Sequence, residues 1–103
     1  MQCKCFSVEG ILYFDLSFNN LQSLGCIEIA KLLPGNQHNQ GFCELKRLNL
    51  MHNNITDDGV KHLSTALKHT NCTLNSLCVG GNNITYKGRN LLNSMNINCE
   101  VDM

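Results

Sequence analysis

One pattern of residues recurs three times along this chain of 103 residues, in units that begin at Ile11, Leu45 and Leu74. Each unit has apolar residues at its first, fourth, sixth, eleventh and nineteenth positions, an asparagine at its ninth and a glycine at its fifteenth. Such self-similarity is typical of solenoids, because one unit alone cannot bury its apolar side and needs a neighbour stacked on it. The chain is therefore predicted to fold as a stack of similar units.

The spacing of the units sets their boundaries. A polar stretch rich in Gly, Pro and Asn lengthens the first unit and is predicted to be a surface loop. A cysteine lies two residues before the first apolar position at Cys43, Cys72 and Cys99, so that Val101 opens a fourth unit. The predicted organisation is a lead-in at 1–10 with a frayed start, repeat one at 11–44 with an enlarged loop at 34–42, repeat two at 45–73, repeat three at 74–100 and the start of repeat four at 101–103.

These residues resemble the leucine-rich repeat, in the long subtype found in ribonuclease inhibitor and in nucleotide-binding oligomerisation-domain-like receptors. The segment Ile55–Leu67 is most similar to the receptor repeats, and the resemblance covers about residues 11–101. It implies an α/β solenoid of three repeats plus the start of a fourth, with short parallel strands on the concave face and helices on the convex face. It does not imply one function, because the same scaffold serves inhibitors, sensors and activators.

Alternation within the predicted strands assigns side chains to two faces of the sheet. In the second unit, Leu48 and Leu50 are predicted to point inward. The asparagines Asn19, Asn53 and Asn82 follow the strands, where the buried backbone leaves the ladder and its polar groups need partners. An amide side chain has both donors and an acceptor, so the three asparagines are predicted to be structural.

Helices are predicted to return the chain from one strand to the next. Ser23, Thr56 and Thr85 are expected to cap their N-termini, and Asp57 and Asp58 suit the first turn of the second helix. The recurring glycine of each unit is expected to avoid a collision with the neighbouring unit, because glycine otherwise disfavours a helix. The predicted apolar helix sides are Ile29, Ala30 and Leu33, then Val60, Leu63 and Leu67, then Leu91, Leu92 and Met95.

The seven cysteines are an odd number, and the first ten residues do not have the pattern of a secretory signal. Both observations favour a reducing compartment, the cytoplasm, with free thiols used as small apolar residues. The cysteine column at the strand entrances could come within disulfide reach, but packing is the preferred interpretation. The three Asn-x-Thr sequons at 54, 71 and 83 would matter only in a secreted chain. Cys3-x-Cys5 lacks the second cysteine pair of a zinc site.

Charge and motifs argue against several other functions. Eight basic and eight acidic residues give a formal charge of zero, which argues against a nucleic-acid or membrane-surface binder. Gly80-Gly81 lacks the rest of a phosphate-binding motif. His62 and His69 are expected on a solvated helix face beside lysines. No catalytic constellation, cofactor site or metal site is recognisable, so we expect a protein that is not an enzyme.

The outward side of the predicted sheet is the candidate protein-binding surface, since its aromatic, arginine and methionine residues are of types enriched at interfaces. Unit three is small and flat there, which would admit a close approach. The outward positions are Tyr13, Asp15, Ser17 and Phe18, then Arg47, Asn49, Met51 and His52, then Ser76, Cys78, Gly80 and Gly81.

Four alternatives remain beside binding of a protein partner at this surface. The outward residues could be solvated positions of a spacer repeat. The chain could be an inactive fragment of a longer receptor-like protein, or it could regulate a GTPase or another enzyme. Open strand edges could also lead to self-association.

Overall fold

Short strands alternate with helices along the chain. The structure, a computed structural model, describes residues 4–8, 11–32, 45–68, 74–94 and 100–103. The elements in chain order are β1 (Lys4–Val8), β2 (Ile11–Asp15), α1 (Gln22–Leu32), β3 (Leu45–Asn49), α2 (Asp57–Lys68), β4 (Ser76–Cys78), α3 (Tyr86–Asn93) and β5 (Glu100–Asp102).

The strands form a single sheet in the order β1-β2-β3-β4-β5. The strands β2 to β5 are parallel, one from each unit, and their equivalent residues pair, as Phe14 pairs with Leu48 and Leu48 with Leu77. The helices α1, α2 and α3 pack side by side in the same order. The predicted α/β solenoid, with three units and the strand of a fourth, is confirmed.

The lead-in differs from the sequence prediction. Lys4–Val8 is a strand that pairs antiparallel with Ile11–Asp15, so a frayed start is wrong for this segment. It covers the edge of β2 that the parallel stack would leave unpaired, one of the ways in which proteins protect an exposed strand edge. The repeat pattern could not reveal this strand, because the strand belongs to no repeat unit.

The core lies between the sheet and the helices. Leu48 and Leu50 are buried as predicted, whereas Arg47, which precedes Leu48, is exposed and Asn49, which lies between the two leucines, is half-buried. Of the predicted helix positions, Ile29, Val60, Leu63, Leu67 and Leu92 are buried, Ala30 and Leu91 are half-buried, and Leu33 and Met95 lie outside the described residues.

Cys26 illustrates the apolar use of a thiol. Its side chain is fully buried against α2, and burial raises the pKa of the thiol to about 12. A thiol that stays protonated behaves as a small apolar residue and is a poor nucleophile. The column of Cys43, Cys72 and Cys99 lies outside the described residues.

The asparagines after the strands join neighbouring units. Asn53 Oδ1 accepts hydrogen bonds from the backbone N–H groups of Asn19 (2.8 Å) and Leu21 (3.3 Å), both in unit one. Asn53 Nδ2 donates to the carbonyl oxygens of Leu16 (2.9 Å) and Met51 (3.1 Å). One fully buried amide therefore satisfies four backbone groups from two units.

The helix starts form a second line of contacts between units. Helix α3 is capped by Thr85, whose hydroxyl accepts from the N–H of Lys87, and helix α2 begins directly after Thr56. Helix α1 begins at Gln22, so the prediction that Ser23 caps it is wrong. Gln22 is the repeat equivalent of the two threonines, and Ser23 Oγ instead lies 2.9 Å from Thr56 Oγ1 in the next unit.

Asp57 occupies the repeat position of Ser23 and makes the corresponding contact with unit three. Its carboxylate accepts hydrogen bonds from the hydroxyl and from the N–H of Thr85, the latter at 2.8 Å. These two bonds lower the pKa of Asp57, with smaller contributions from the Gly88 N–H and the charge of Lys87. A single carboxylate in the first turn of α2 thus holds the residue that caps α3.

The repeated glycine has the predicted close contacts, although not all come from a neighbouring unit. A Cβ at Gly88 would lie 2.5 Å from Asp57 Oδ1, and one at Gly59 would lie 3.0 Å from Cys26 Sγ, in both cases in the preceding unit. At Gly25 the nearest atom is instead Leu21 Cβ in the same unit, at 2.6 Å.

Replacing Asn53 with alanine is expected to lower the free energy of unfolding by about 3 kcal/mol or more, because it removes four hydrogen bonds to the backbone and takes the acceptor away from the N–H groups of Asn19 and Leu21. Urea denaturation followed by circular dichroism measures the loss. Asn75→Ala is the matched control, because the Asn75 side chain is exposed. Equal stability of the two variants would contradict the bridging role of Asn53.

Asp57→Asn tests the charge at the contact between α2 and α3. A carboxyl whose folded pKa is lowered stabilises the fold fully above its unfolded pKa, here 3.8, and the stabilisation is lost as pH falls through the folded value. Wild type should therefore be more stable than Asp57→Asn at pH 7, and the gap should close as the pH is lowered below 3.8. Asp58→Asn, which removes the same charge from the same helical turn, should show a smaller gap. A gap that does not depend on pH would contradict the assignment.

Candidate functional site

The sheet pairing brings the predicted binding residues into rows across the open face. Tyr13, Arg47 and Ser76 pair in one row. A second row contains Asp15, Asn49 and Cys78. Neighbouring members of a row lie about 4.8 Å apart, the spacing of strands in a sheet. Arg47 is exposed and the other five residues are half-buried, so Arg47 is the most accessible of the six.

A third row continues past the ends of the strands. Phe18 and His52 stack with ring centroids 4.5 Å apart and an angle of 17° between the ring planes. Their backbone N–H groups still donate to the next unit, from Phe18 to the Met51 carbonyl (3.1 Å) and from His52 to the Gly80 carbonyl (3.0 Å). We call Phe18, His52 and the equivalent Gly81 the aromatic row.

The aromatic row has an unusual backbone. Phe18, His52 and Gly81 have φ angles of 60°, 56° and 68°. This left-handed conformation costs a residue with a side chain roughly 1–2 kcal/mol, which the inter-unit hydrogen bonds and the ring stacking offset. The conformation turns Phe18 outward, where it is 75% exposed.

Gly81 is the member of the row that allows the stack to lie where it does. The His52 ring occupies the space where a Cβ at Gly81 would be, with Cε1 and Nδ1 as the nearest atoms. The result is a ridge of two stacked aromatic rings past the ends of the strands.

Two of the predicted binding residues also have local structural bonds. Asp15 Oδ1 accepts from the N–H (3.0 Å) and hydroxyl (2.6 Å) of Ser17. Asn49 Oδ1 accepts from the N–H of Met51 at 3.0 Å. Both side chains stabilise the turn after their strand, so they are less available to a partner than Arg47 or the aromatic row.

Strand β5, from the fourth unit, adds residues that are not among the predicted outward positions. Asp102 pairs with Cys78 and is exposed, and Met103 is 40% exposed with its carbonyl oxygen 3.8 Å from where a Cβ at Gly80 would lie. In the sequence, the alternation of inward and outward side chains that starts at Val101 could have predicted Asp102 as an outward residue. The open face thus carries an acidic group beside the small residues of unit three.

A shallow groove of about 480 Å³ lies between α1 and α2 and is lined by Ile27, Ala30, Lys31, Lys61, His62, Thr65 and Ala66. His62 is exposed there as predicted, and His69 lies outside the described residues. Within the described part of the chain, no three His, Cys, Asp or Glu side chains are grouped so as to hold a metal ion. None of the described helices is long and apolar enough to cross a membrane.

Comparison with known proteins agrees with this geometry. The leucine-rich-repeat family profile matches residues 11–30, 43–64 and 70–92, and these segments correspond to the three units. The chain is 40% identical over 77 residues to the mouse (Mus musculus) NACHT, LRR and PYD domains-containing protein 4E. The aligned region covers 73% of this chain and 7% of that protein. No solved structure gave a significant match.

The repeat pattern, the sheet of stacked strands and the family match together define a repeat protein of the solenoid class. The chain belongs to the leucine-rich-repeat family, and its repeats are similar to those of nucleotide-binding oligomerisation-domain-like receptors.

Gly81→Ala is expected to displace the His52 ring from Phe18 and to lower the free energy of unfolding by about 1 kcal/mol, since alanine disfavours positive φ. The ¹H chemical shifts of the His52 ring report the displacement, because stacking on Phe18 shields these protons. Gly80→Ala is the matched control, since its Cβ would meet Met51 Cε at an ordinary 3.4 Å. Unchanged His52 shifts in Gly81→Ala would contradict the proposed role of Gly81.

Proposed function

We propose that the chain is a protein-binding module whose partner contacts the open face of the sheet. The observation that carries this proposal is the aromatic row, with Phe18 75% exposed at its end, together with the exposed Arg47 in the first row. Exposed aromatic and arginine side chains are the residue types that most often dominate the binding energy of protein interfaces. Phe18 has the same left-handed backbone conformation as His52, which fixes the position of its exposed ring.

The dimensions of the face favour a particular kind of partner. Four parallel strands about 4.8 Å apart give a face that is about 15 Å wide between its outer strands. Such a face suits a loop or an extended segment of a partner and is too small to surround a globular protein. The rigid ladder presents its side chains without reordering, which lowers the entropic cost of binding.

The mouse relative supports a receptor-like setting for this module. Its name records NACHT, LRR and PYD domains, and the chain spans 7% of its length. We infer that the chain performs the task of the leucine-rich-repeat part of such a protein, in a cytoplasmic, reducing environment. The fully buried Cys26 thiol is compatible with that environment.

Site-specific photo-crosslinking tests the proposed face. A benzophenone side chain at Phe18 is expected to crosslink a defined partner, whereas the same probe at Leu24 on α1 is not. The two positions are matched in exposure, at 75% and 74%, and differ in the face on which they lie. Equal crosslinking at both positions would contradict a docking site on the sheet.

A charge reversal provides an independent test of the same proposal. Arg47→Glu is expected to weaken capture of the crosslinked partner by about tenfold or more, as loss of an interface arginine commonly does. Lys61→Glu makes the same change of charge on α2 and is expected to leave capture unchanged. Arg47 and Lys61 are both exposed, so neither variant should unfold.

A further inference from the structure

The open face of the sheet is lowest over unit three. Its outward residues there, Ser76, Cys78 and Gly80, are all small. Met51 lies on the unit-two side, with its Cε 3.4 Å from where a Cβ at Gly80 would be. On the other side is Met103, which is 40% exposed and has its carbonyl oxygen 3.8 Å from the same point. Small residues between longer ones leave a depression, which we call the trough.

The two sides of the trough carry opposite charges. Arg47, on the unit-two side, is exposed and pairs with Ser76. Strand β5, on the other side, contains two acidic residues, Glu100 and Asp102, which pair with Ser76 and Cys78. The side chain of Asp102 is exposed. The open face is therefore basic on one side of the trough and acidic on the other.

Neither charge is neutralised within the part of the chain that the structure describes. The ion pair found there joins Lys31 to Glu28 on α1, and it involves neither Arg47 nor Asp102. Asp15, the acidic residue of unit one on this face, already accepts two hydrogen bonds within its own turn. Arg47 and Asp102 are thus the charges that remain available to a bound molecule.

Neighbouring repeats do not cover the outward positions of the sheet. Unit two has a unit on each side, and Arg47 is still exposed. Stacking buries the inward residues, such as Leu48, and leaves the opposite face of each strand open. A further unit after β5 would therefore leave the trough and Asp102 accessible, and only a molecule bound on the face can cover them.

The separation of the two charges matches an extended segment of a partner. Asp102 lies two strands and two residues away from Arg47, so their Cα atoms are about 12 Å apart. In an extended segment, side chains on one side recur at every second residue, and residues four apart are separated by about 13 Å. The residue midway between them then lies over the trough.

We propose that the trough binds an extended segment of a partner protein in which an acidic, an aromatic and a basic residue alternate with two other residues. The acidic residue pairs with Arg47, the aromatic ring fills the trough, and the basic residue pairs with Asp102. An aromatic ring suits the middle position because it contacts the thioether of Met51 favourably. The proposal rests on the function proposed above and adds the chemistry of the partner, since complementary charges give specificity to an interface.

Titration of the full chain by NMR, with ¹⁵N-labelled backbone and ¹³C-labelled methionine methyl groups, tests the proposal. The probe is the blocked peptide Glu-Ser-Phe-Ser-Lys. It should shift the Cys78 and Gly80 amides in a saturable manner and move the Met51 methyl signal upfield through the ring current of phenylalanine. The Ile29 amide on α1 should not respond. The control peptide Glu-Ser-Ala-Ser-Lys should not move the Met51 methyl signal.

Two further peptides test the charges. Glu-Ser-Phe-Ser-Glu and Lys-Ser-Phe-Ser-Lys each keep one of the two complementary charges, and a segment bound in either direction meets one repulsive side chain. Each should bind about two- to fivefold more weakly than the mixed peptide, the range for an exposed ion pair. Equal affinity of the three peptides would show that charge does not select the partner, and the proposal would be wrong.

Variants of the chain should exchange these preferences. Asp102→Lys should bind the doubly acidic peptide more tightly than the mixed one, and Arg47→Glu should prefer the doubly basic peptide. Asp58→Lys makes the same change as Asp102→Lys at an exposed position on α2 and should keep the wild-type preference. A damaged fold cannot produce a gain of affinity for a new peptide, so an exchange of preference is not explained by unfolding.

The two proposals for the open face can fail separately. Crosslinking of a partner from Phe18, together with no peptide binding or no exchange of preference, would overturn the charge pattern and leave the sheet-face proposal standing. Peptide binding at the trough without any partner crosslinked from Phe18 would instead support the trough and count against the partner contact at the aromatic row.

Discussion

A buried asparagine amide between successive units is the interaction on which the rest of the structure depends. Where a strand ends, its backbone must turn away from the ladder while still covered by the helices, and unpaired peptide groups there would be costly. Asn53 satisfies such groups in its own unit and in the unit before it, with donors and acceptor both in use. Stacking is therefore a condition for burying the turn as well as a consequence of apolar packing. Leu50 and Ile55, on either side of Asn53, are fully buried because the turn is closed in this way.

On the helical side, each unit is also joined to the next by a side-chain contact at the start of its helix, but the chemical groups differ between the two junctions. Ser23 contacts Thr56, and at the next junction the equivalent Asp57 holds Thr85. The first contact is between two hydroxyls and the second involves a carboxylate, so the position is conserved in geometry from unit to unit while its residue type changes. Such substitution within one geometry lets each unit vary its surface without losing the stack, which is a general property of repeat proteins.

Function in this family depends on what the scaffold displays, because the scaffold itself is common to proteins with different tasks. In this chain the ladder places Phe18 and His52 in contact and leaves Arg47 exposed in a different row.

The sequence by itself determined the repeat, the parallel order of its strands and the side of each strand that is buried, because these follow from a period of apolar residues that any stacked unit must satisfy. It also singled out Asn53, Gly59 and Thr56 as positions with a local structural reason. Tertiary structure decided what depends on non-repeating or inter-unit contacts. β1 belongs to no unit, and its pairing with β2 became evident only from the register. The stacking of Phe18 on His52 needs a left-handed backbone in both units. The direction of the asparagine bridges depends on which neighbouring unit lies within reach. Periodicity specifies what a residue must bury, whereas the three-dimensional arrangement specifies which other unit it meets.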